Sequence, residues 1–234
     1  MTQPFRNEDI YRSTALDWIT VTYQPDHLHF CSTKKLETIS SAVWGGGFGY
    51  ADAIVNWKVP LTYRAADPQS MMRDQLLTWG YTPERTIGLM TAAKLTHAAF
   101  SEDEGDAFRL LACTTAGTGN AARAGKVART YPAYQCGTIN TVLMIEGCMS
   151  HAAMVNALMT AVEAKAAAMQ DAEVYSATGE LATGTTSDAI VLAVSQQGFA
   201  ETHMFAGTAT TIGDAIARHV YQTVFEAVRT QKEE

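Results

Sequence analysis

Residues 139–171 read "INTVLMIEGCMSHAAMVNALMTAVEAKAAAMQD". From Val142 to Ile145 the run is apolar at every position, as in a strand buried on both faces and therefore central in its sheet. Past Gly147, Ser150 has the short hydroxyl side chain that caps helix N-termini, and the alanine-rich run to Asp171 predicts a long helix. Val155, Leu158, Val162, Ala166 and Met169 recur at spacings of three and four, which predicts one apolar stripe. On the same wheel Lys165 falls about 40° from the middle of that stripe and Glu163 roughly 120° away. A central strand feeding a long helix is thus the centre of the fold.

On the C-terminal side, "SDAIVLAVS" (187–195) reads as another buried strand and "THMFAG" (202–207) as a short one. "TIGDAIARHVYQTVFEAV" (211–228) predicts a second long helix, with Ile212, Ile216, Val220 and Val224 on one face. On the N-terminal side, "ALDWITVTY" (15–23) and "HLHFCS" (27–32) predict a hairpin turned by Asp26. "LETISSAVW" (36–44) reads as a further strand ending at the glycines of "GGGFG" (45–49), and "YADAIVNWKV" (50–59) as the next. "DPQSMMRDQLLTWG" (67–80) predicts a helix capped by Asp67, with Pro68 in its first turn and Gly80 as its stop. "TIGLMTAA" and "DAFRLLACTTA" follow as strands, and the acidic "SEDEGD" (101–106) between them as a solvated loop. The expected class is α+β: a mostly antiparallel or mixed sheet in the first half, and two long helices in the second half packed on it. A doubly wound sheet is disfavoured because regular βαβ alternation is missing, and no linker or repeat divides residues 1–234, so one domain is expected.

Composition narrows the function classes. A hydrophobic share of 47% against 18% charged residues describes a buried core, and the net charge of −7 argues against broad nucleic-acid or anionic-membrane binding. Cys31, Cys113, Cys136 and Cys148 form no CxxC pair, the polar N-terminus does not look like a signal peptide, and the apolar runs are shorter than a membrane span. A cytoplasmic protein is expected. His27 and His29 share a strand face, yet the six histidines form no HExxH or CxxC-type ligand set, so no metal site is expected. Neither a P-loop nor a GxSxG elbow is present.

Three stretches rich in glycine and hydroxyls adjoin strands: "TTAGTGNAARAG" (114–125), "CGTIN" (136–140) and "TGTTSD" (183–188). Each is an ordinary turn sequence when taken alone. The glycines at 117 and 119 also permit an anion-binding nest of N–H groups. Thr138 and Asn140 share one strand face, where a buried asparagine is either structural or a clamp for a substrate amide. Lys165, on the core side of its helix, either snorkels or pairs in the interior, for instance with Asp188 or Glu163.

"TAGTGNAARAG", "GTIN", "AVEAKAAAM", "ATGTTSDAIVLA" and "FAGTATTIGDAI", in this order and spacing, resemble the adenosylcobinamide amidohydrolase (CbiZ) family, over about residues 40–228. The resemblance implies an amidohydrolase of corrinoid salvage, cleaving the aminopropanol amide of adenosylcobinamide to give adenosylcobyric acid. The corrinoid would be substrate, with no separate cofactor. The family's motif residues fall on Gly117, Asn120, Ala121, Gly137, Thr138, Asn140, Glu163, Lys165, Thr183, Gly184, Thr185 and Asp188. Lys126, Thr141 and Glu146 depart from the pattern and bear on substrate identity more than on fold.

Chemistry assigns the roles. Asp188, with Glu163 second, is the expected base for water or for a Thr185 nucleophile, and Lys165 stabilises charge or supplies the proton. Gly117, Gly119, Asn120, Thr138, Asn140 and Thr183 are expected to bind the substrate or its oxyanion. Trp44, with Phe48, Tyr50 and Trp57, offers aromatic faces to a flat corrin. The alternatives are a hydrolase of another amide or ester, such as a siderophore, and a non-catalytic corrinoid-binding protein. A homo-oligomer is a further possibility.

Overall fold

The computed structural model describes residues 1–60, 62–63, 66–127, 130 and 138–233. In chain order the strands are β1 (Ile10–Arg12), β2 (Ile19–Tyr23), β3 (His27–Ser40), β4 (Gly47–Lys58), β5 (Thr86–Thr91), β6 (Ala99–Gly105), β7 (Phe108–Ala116), β8 (Ile139–Glu146), β9 (Cys148–Met149), β10 (Ala189–Val194) and β11 (Thr202–His203). The α-helices are α1 (Pro68–Thr78), α2 (His151–Asp171) and α3 (Thr211–Thr230). The class is α+β with a mixed sheet; α1 and β10 form where the sequence predicted a helix and a strand, and the sheet draws on the whole chain rather than on its first half.

Among the described residues nine strands form one sheet, ordered β1-β2-β3-β10-β8-β7-β6, with β4 pairing β3 and β5 as a branch. The pairs β8–β10 and β4–β5 are parallel and the others antiparallel. The predicted β2–β3 hairpin forms. The two strands expected at 27–32 and 36–44 are instead one strand, whose pairing with β4 slips between Cys31 and Leu36. Ser32 Oγ closes this bulge on the backbone of Lys34, accepting from its N–H at 3.0 Å and donating to its carbonyl at 2.7 Å. The bulge separates the part of β3 that pairs with β2 from the part that pairs with β10.

The acidic stretch expected as a loop is mostly β6, and the chain turns only at Asp106 and Ala107. An edge strand can carry such charge because its outer rim, bridged to Thr2 at Phe100, pairs with no further strand among the described residues. Glu102 there accepts from Tyr11 and Thr14, and Asp103 from Arg218.

Period-two alternation sorts the central strands between two cores. Ile139, Leu143 and Ile145 of β8 and Ile190, Leu192 and Val194 of β10 share one cluster with α2 and α3. Val142, Met144, Val191 and Ala193 belong to a second, with Leu28 and Phe30 of β3, Ile54 of β4 and Leu89 of β5. The sheet therefore folds β4 and β5 back across its own inner face, and the helices cover the outer one. Asp67 caps α1 as predicted, accepting from Ser70 N at 3.1 Å, and α1 buries Met72 and Leu76.

In α3 the predicted face of Ile212, Ile216, Val220 and Val224 is fully buried. In α2 the predicted stripe is displaced. The buried face is Ala153, Ala157, Ala161, Ala164 and Ala168 with Met154, Lys165 and Met169, whereas Val155 and Val162 lie outward, 43% and 47% exposed. Small side chains let α2 approach the sheet and α3 closely, so the alanines take the contact positions that larger residues were expected to hold.

Candidate functional site

Asp188 precedes β10 at the same parity as Ile190, Leu192 and Val194, so its carboxylate lies on the helix-facing side. Lys165, on the buried face of α2, meets it there. Lys165 Nζ donates to Asp188 Oδ2, with the two side chains only 9% and 12% exposed. Oδ2 also accepts from Thr185 N at 3.0 Å; Oδ1 accepts from Ile139 N at 3.0 Å and from Thr185 Oγ1 at 2.5 Å. Four donors match the roughly four acceptor positions of a carboxylate, which fixes its rotamer.

Gly184 makes room for this pair. A Cβ there would be driven into the Asp188 carboxylate and would stand 2.7 Å from Lys165 Nζ. Its backbone is not in the left-handed region, so the space rather than the conformation calls for glycine.

Two of the polar stretches zip together beside the pair. Ala122 N donates to Gly184 O at 2.9 Å, Thr183 N to Ala122 O at 3.0 Å, and Ala124 N to Thr183 Oγ1 at 3.0 Å. Thr186 Oγ1 reaches Asn120 O at 3.5 Å. Asn120 and Thr183 are thereby gathered in one loop assembly beside Thr185 and Asp188, and Gly117 and Gly119 stand just ahead of it in the chain. As an oxyanion nest the turn is reduced, because Gly117 N donates to Thr138 O and Thr118 N to Gln231 Oε1.

Thr138 and Asn140 share a face, but it is the inner one, opposite the ion pair. Thr138 Oγ1 donates to Ser187 O at 2.6 Å and to Asn140 Oδ1 at 3.1 Å. Asn140 Nδ2 donates to Asn56 Oδ1 at 2.8 Å and Met90 O at 2.9 Å, and Asn56 Nδ2 to Thr115 Oγ1 at 2.9 Å. Both asparagines are almost fully buried and tie β8 to β4, β5 and β7. This is the structural role open to Asn140 in sequence, and it leaves little of the side chain for a substrate.

Glu163 does not join the pair. It is exposed on α2 and accepts from Thr208 Oγ1 at 3.2 Å, on another flank of the helix. Gly137 lies outside the described residues. Trp44, held by Nε1 donating to Pro83 O at 2.9 Å, lines a separate cavity of about 590 Å³ with Phe48 and Tyr50. The three departures from the family pattern have partners: Lys126 pairs with Glu180 at 3.0 Å, Thr141 bonds Thr114, and Glu146 binds Lys34 and Arg109.

Sequence reasoning missed Asn56, one more polar residue in an apolar strand whose burial was its only signal. It also missed a Ser–His–Asp arrangement between β6 and α3. Ser101 Oγ lies 2.7 Å from His219 Nδ1, and His219 Nε2 lies 3.1 Å from Asp103. Ser101 and His219 are buried, and burial lowers the His219 pKa from its usual value, so the trio pins α3 to the sheet edge. Residues 101, 103 and 219 lie too far apart in sequence to announce themselves. No group of three or more His, Cys, Asp or Glu side chains with metal-holding geometry occurs among the described residues, and no helix among them is long and apolar enough to cross a membrane.

Comparison with known proteins gives this geometry a family. An uncharacterised protein of Methanocaldococcus jannaschii is 34% identical over 171 residues, 65% of this chain and 66% of that protein. The adenosylcobinamide amidohydrolase of Methanosarcina mazei is 28% identical over 157 residues, 67% of this chain and 68% of that protein. The chain thus spans about two thirds of these relatives' own lengths. A crystal structure of a Pyrococcus horikoshii protein superposes with a TM-score of 0.47 at 9% identity, covering 89% of this chain and 77% of that one. The model of the family described as adenosylcobinamide amidohydrolase matches residues 13–234, nearly the whole length and every part of the site, and the chain belongs to that family, CbiZ.

Proposed function

We propose that this protein hydrolyses the amide joining the aminopropanol arm of adenosylcobinamide to its corrin ring, releasing adenosylcobyric acid. Family membership supports the substrate class. The observation that carries the chemistry is the 2.5 Å hydrogen bond from Thr185 Oγ1 to a carboxylate already tethered to Lys165. Asp188 has its acceptor positions filled, so a water has no ready place on it, and the proton it is placed to take is that of Thr185.

In this reading Thr185 Oγ bonds to the amide carbon as its proton passes to Asp188. Lys165, paired with Asp188, balances the charge that moves. The N–H of Gly119 is the turn's candidate donor to the tetrahedral oxyanion, since those of Gly117 and Thr118 are engaged. Collapse breaks the C–N bond, Asp188 returns the proton to the leaving amine, and water then cleaves the Thr185 ester by the reverse route.

The test is incubation with adenosylcobinamide, with product followed by mass spectrometry. Thr185→Ala and Asp188→Asn should lose the product, while Thr185→Ser, which keeps the hydroxyl, should retain it. A Thr185→Ala variant working at the wild-type rate would remove Thr185 as the nucleophile. Wild-type protein that neither forms product nor shifts the corrin spectrum would remove the substrate.

A further inference from the structure

We infer that the outward face of α2 is the surface through which two copies of this chain pair, their α2 helices antiparallel; the assignment stands independently of the proposed reaction. The helix is apolar on two faces. Its alanine face packs on the sheet and α3. On the other, Ala152, Val155, Met159, Val162 and Ala166 recur at spacings of three, four, three and four. That is the narrow seam of a coiled coil rather than the broader stripe of a core-facing helix. The seam is turned to solvent: Val155, Met159 and Val162 are 43%, 57% and 47% exposed.

The flanks widen this seam into a patch. On one side Phe48 of β4 lies against His151 in the first turn of α2, with ring centroids 5.0 Å apart. On the other, Ala206 N donates to Asn156 Oδ1 at 3.0 Å and Ala206 O accepts from Thr160 Oγ1 at 2.7 Å, which sets Met204 and Phe205 beside the seam. Phe48, Met204 and Phe205 are 52%, 57% and 73% exposed. Six of the twelve exposed large apolar side chains among the described residues thus fall on α2 and its flanks, a concentration that marks a contact surface rather than scattered surface residues.

The pattern names its occupant. A seam with this spacing is filled by the side chains of another helix. Among the described helices α3 spends its apolar face on its own core and α1 buries Met72 and Leu76, so the matching seam comes from α2 of a second copy. In chain order the five residues read Ala-Val-Met-Val-Ala, the same in both directions. A twofold axis near Met159 therefore sets like against like, as an isologous contact requires. The size suffices. From Ala152 to Ala166 the seam is about 21 Å long and, with its flanks, about 25 Å wide, on the order of 500 Å² on each copy and 1,000 Å² for the pair, where specific interfaces begin. A lipid surface is the poorer occupant, because the seam carries no lysine or arginine and the chain has a net charge of −7.

Sedimentation velocity of the full-length protein over a loading series should show a dimer that dissociates on dilution. Met159→Asp buries a carboxylate at the middle of the seam on both copies and should weaken the pair by on the order of a hundredfold, with the far-ultraviolet circular dichroism of the wild type retained. Val162→Lys serves as the second variant should Met159→Asp fail to fold. Met159→Cys tests the arrangement: oxidation with diamide should link the copies, and mass spectrometry should find the peptide joined 159 to 159. A wild type that is monomeric at every loading, or a dimer that both charged variants leave intact, overturns the inference. So does a dimer without the 159 to 159 link, whose helices would not cross there. A monomer that binds phosphatidylcholine vesicles, and loses them in Met159→Asp, would give the face to a lipid surface instead.

Discussion

The parallel pair β8–β10 carries a carboxylate at each end, Glu146 buried and Asp188 nearly so, and the two are built differently. At one end Asp188 meets, among the described residues, one cation, Lys165, itself buried, together with two backbone N–H groups and a hydroxyl. At the other Glu146 is held by Lys34 and by Arg109 at 2.7 Å, whose side chains are 27% and 42% exposed. Each carboxylate rests against a glycine. Gly198, beside Glu146, has φ +97°, so its backbone demands glycine as much as its space does; Gly184 is there for space alone. The Glu146 clasp joins β3, β7 and β8 and, among the described residues, brings no hydroxyl to its carboxylate. The Asp188 pair does bring one. Pairing with a cation therefore does not distinguish the two ends, and the convergence of a hydroxyl on Asp188 does.

The comparison breaks most visibly at Lys165. Lys165→Met leaves Asp188 buried without its cation, which should cost about 3–5 kcal/mol in urea unfolding and abolish turnover. A loss below about 1 kcal/mol would mean that the pair is open to water. Gly184→Ala should come next. Its methyl must push the carboxylate aside, at about 1–3 kcal/mol and at least a tenfold drop in product formation. An active variant would show that the carboxylate need not be held this closely.

Glu146→Gln should cost less, about 1–2 kcal/mol at neutral pH, and leave turnover near wild type. This variant also has a pH signature. Burial raises the Glu146 pKa, but the hydrogen bonds and charges of Lys34 and Arg109 outweigh it and hold the folded value below the ordinary one. Its stabilisation is therefore complete above the ordinary carboxylate pKa, about 4.3, and is lost as pH falls through the lower folded value. Thermal unfolding against pH should be flatter below about pH 4.3 in Glu146→Gln than in wild type; parallel curves would mean that the clasp adds nothing. The smallest effect is expected at exposed Glu163, where Glu163→Gln should stay within about 0.5 kcal/mol and twofold in rate. A large rate loss would restore it as a second base.

Much of this was legible in sequence, for identifiable reasons. Strand β8, the caps at Ser150 and Asp67 and the buried face of α3 were readable because local side chains determine them. Lys165 was readable as core-facing, and the pairing with Asp188 follows once the parity of β10 is fixed. The stripe on α2 was not, because hydrophobicity ranks valine above alanine while close helix packing prefers alanine. The unity of β3 was not, because its bulge is closed by one serine. Nor could sequence place Thr138 and Asn140 on the face opposite Asp188, or detach Glu163, since both depend on which layers lie above and below the sheet.

The placement of β10 has a consequence for how the chain is made. Residues 189–194 insert between β3 and β8, with Val191 beside Ser40 across about 150 positions of sequence. As the chain leaves the ribosome, one rim of the second half of β3, whose other rim pairs with β4, and one rim of β8 stay open until residues 189–194 emerge. A nascent chain stalled before that point carries two open strand rims and no complete ion pair, making it a natural client for holding chaperones. The Asp188–Lys165 pair and the joined sheet thus mature in the same late event.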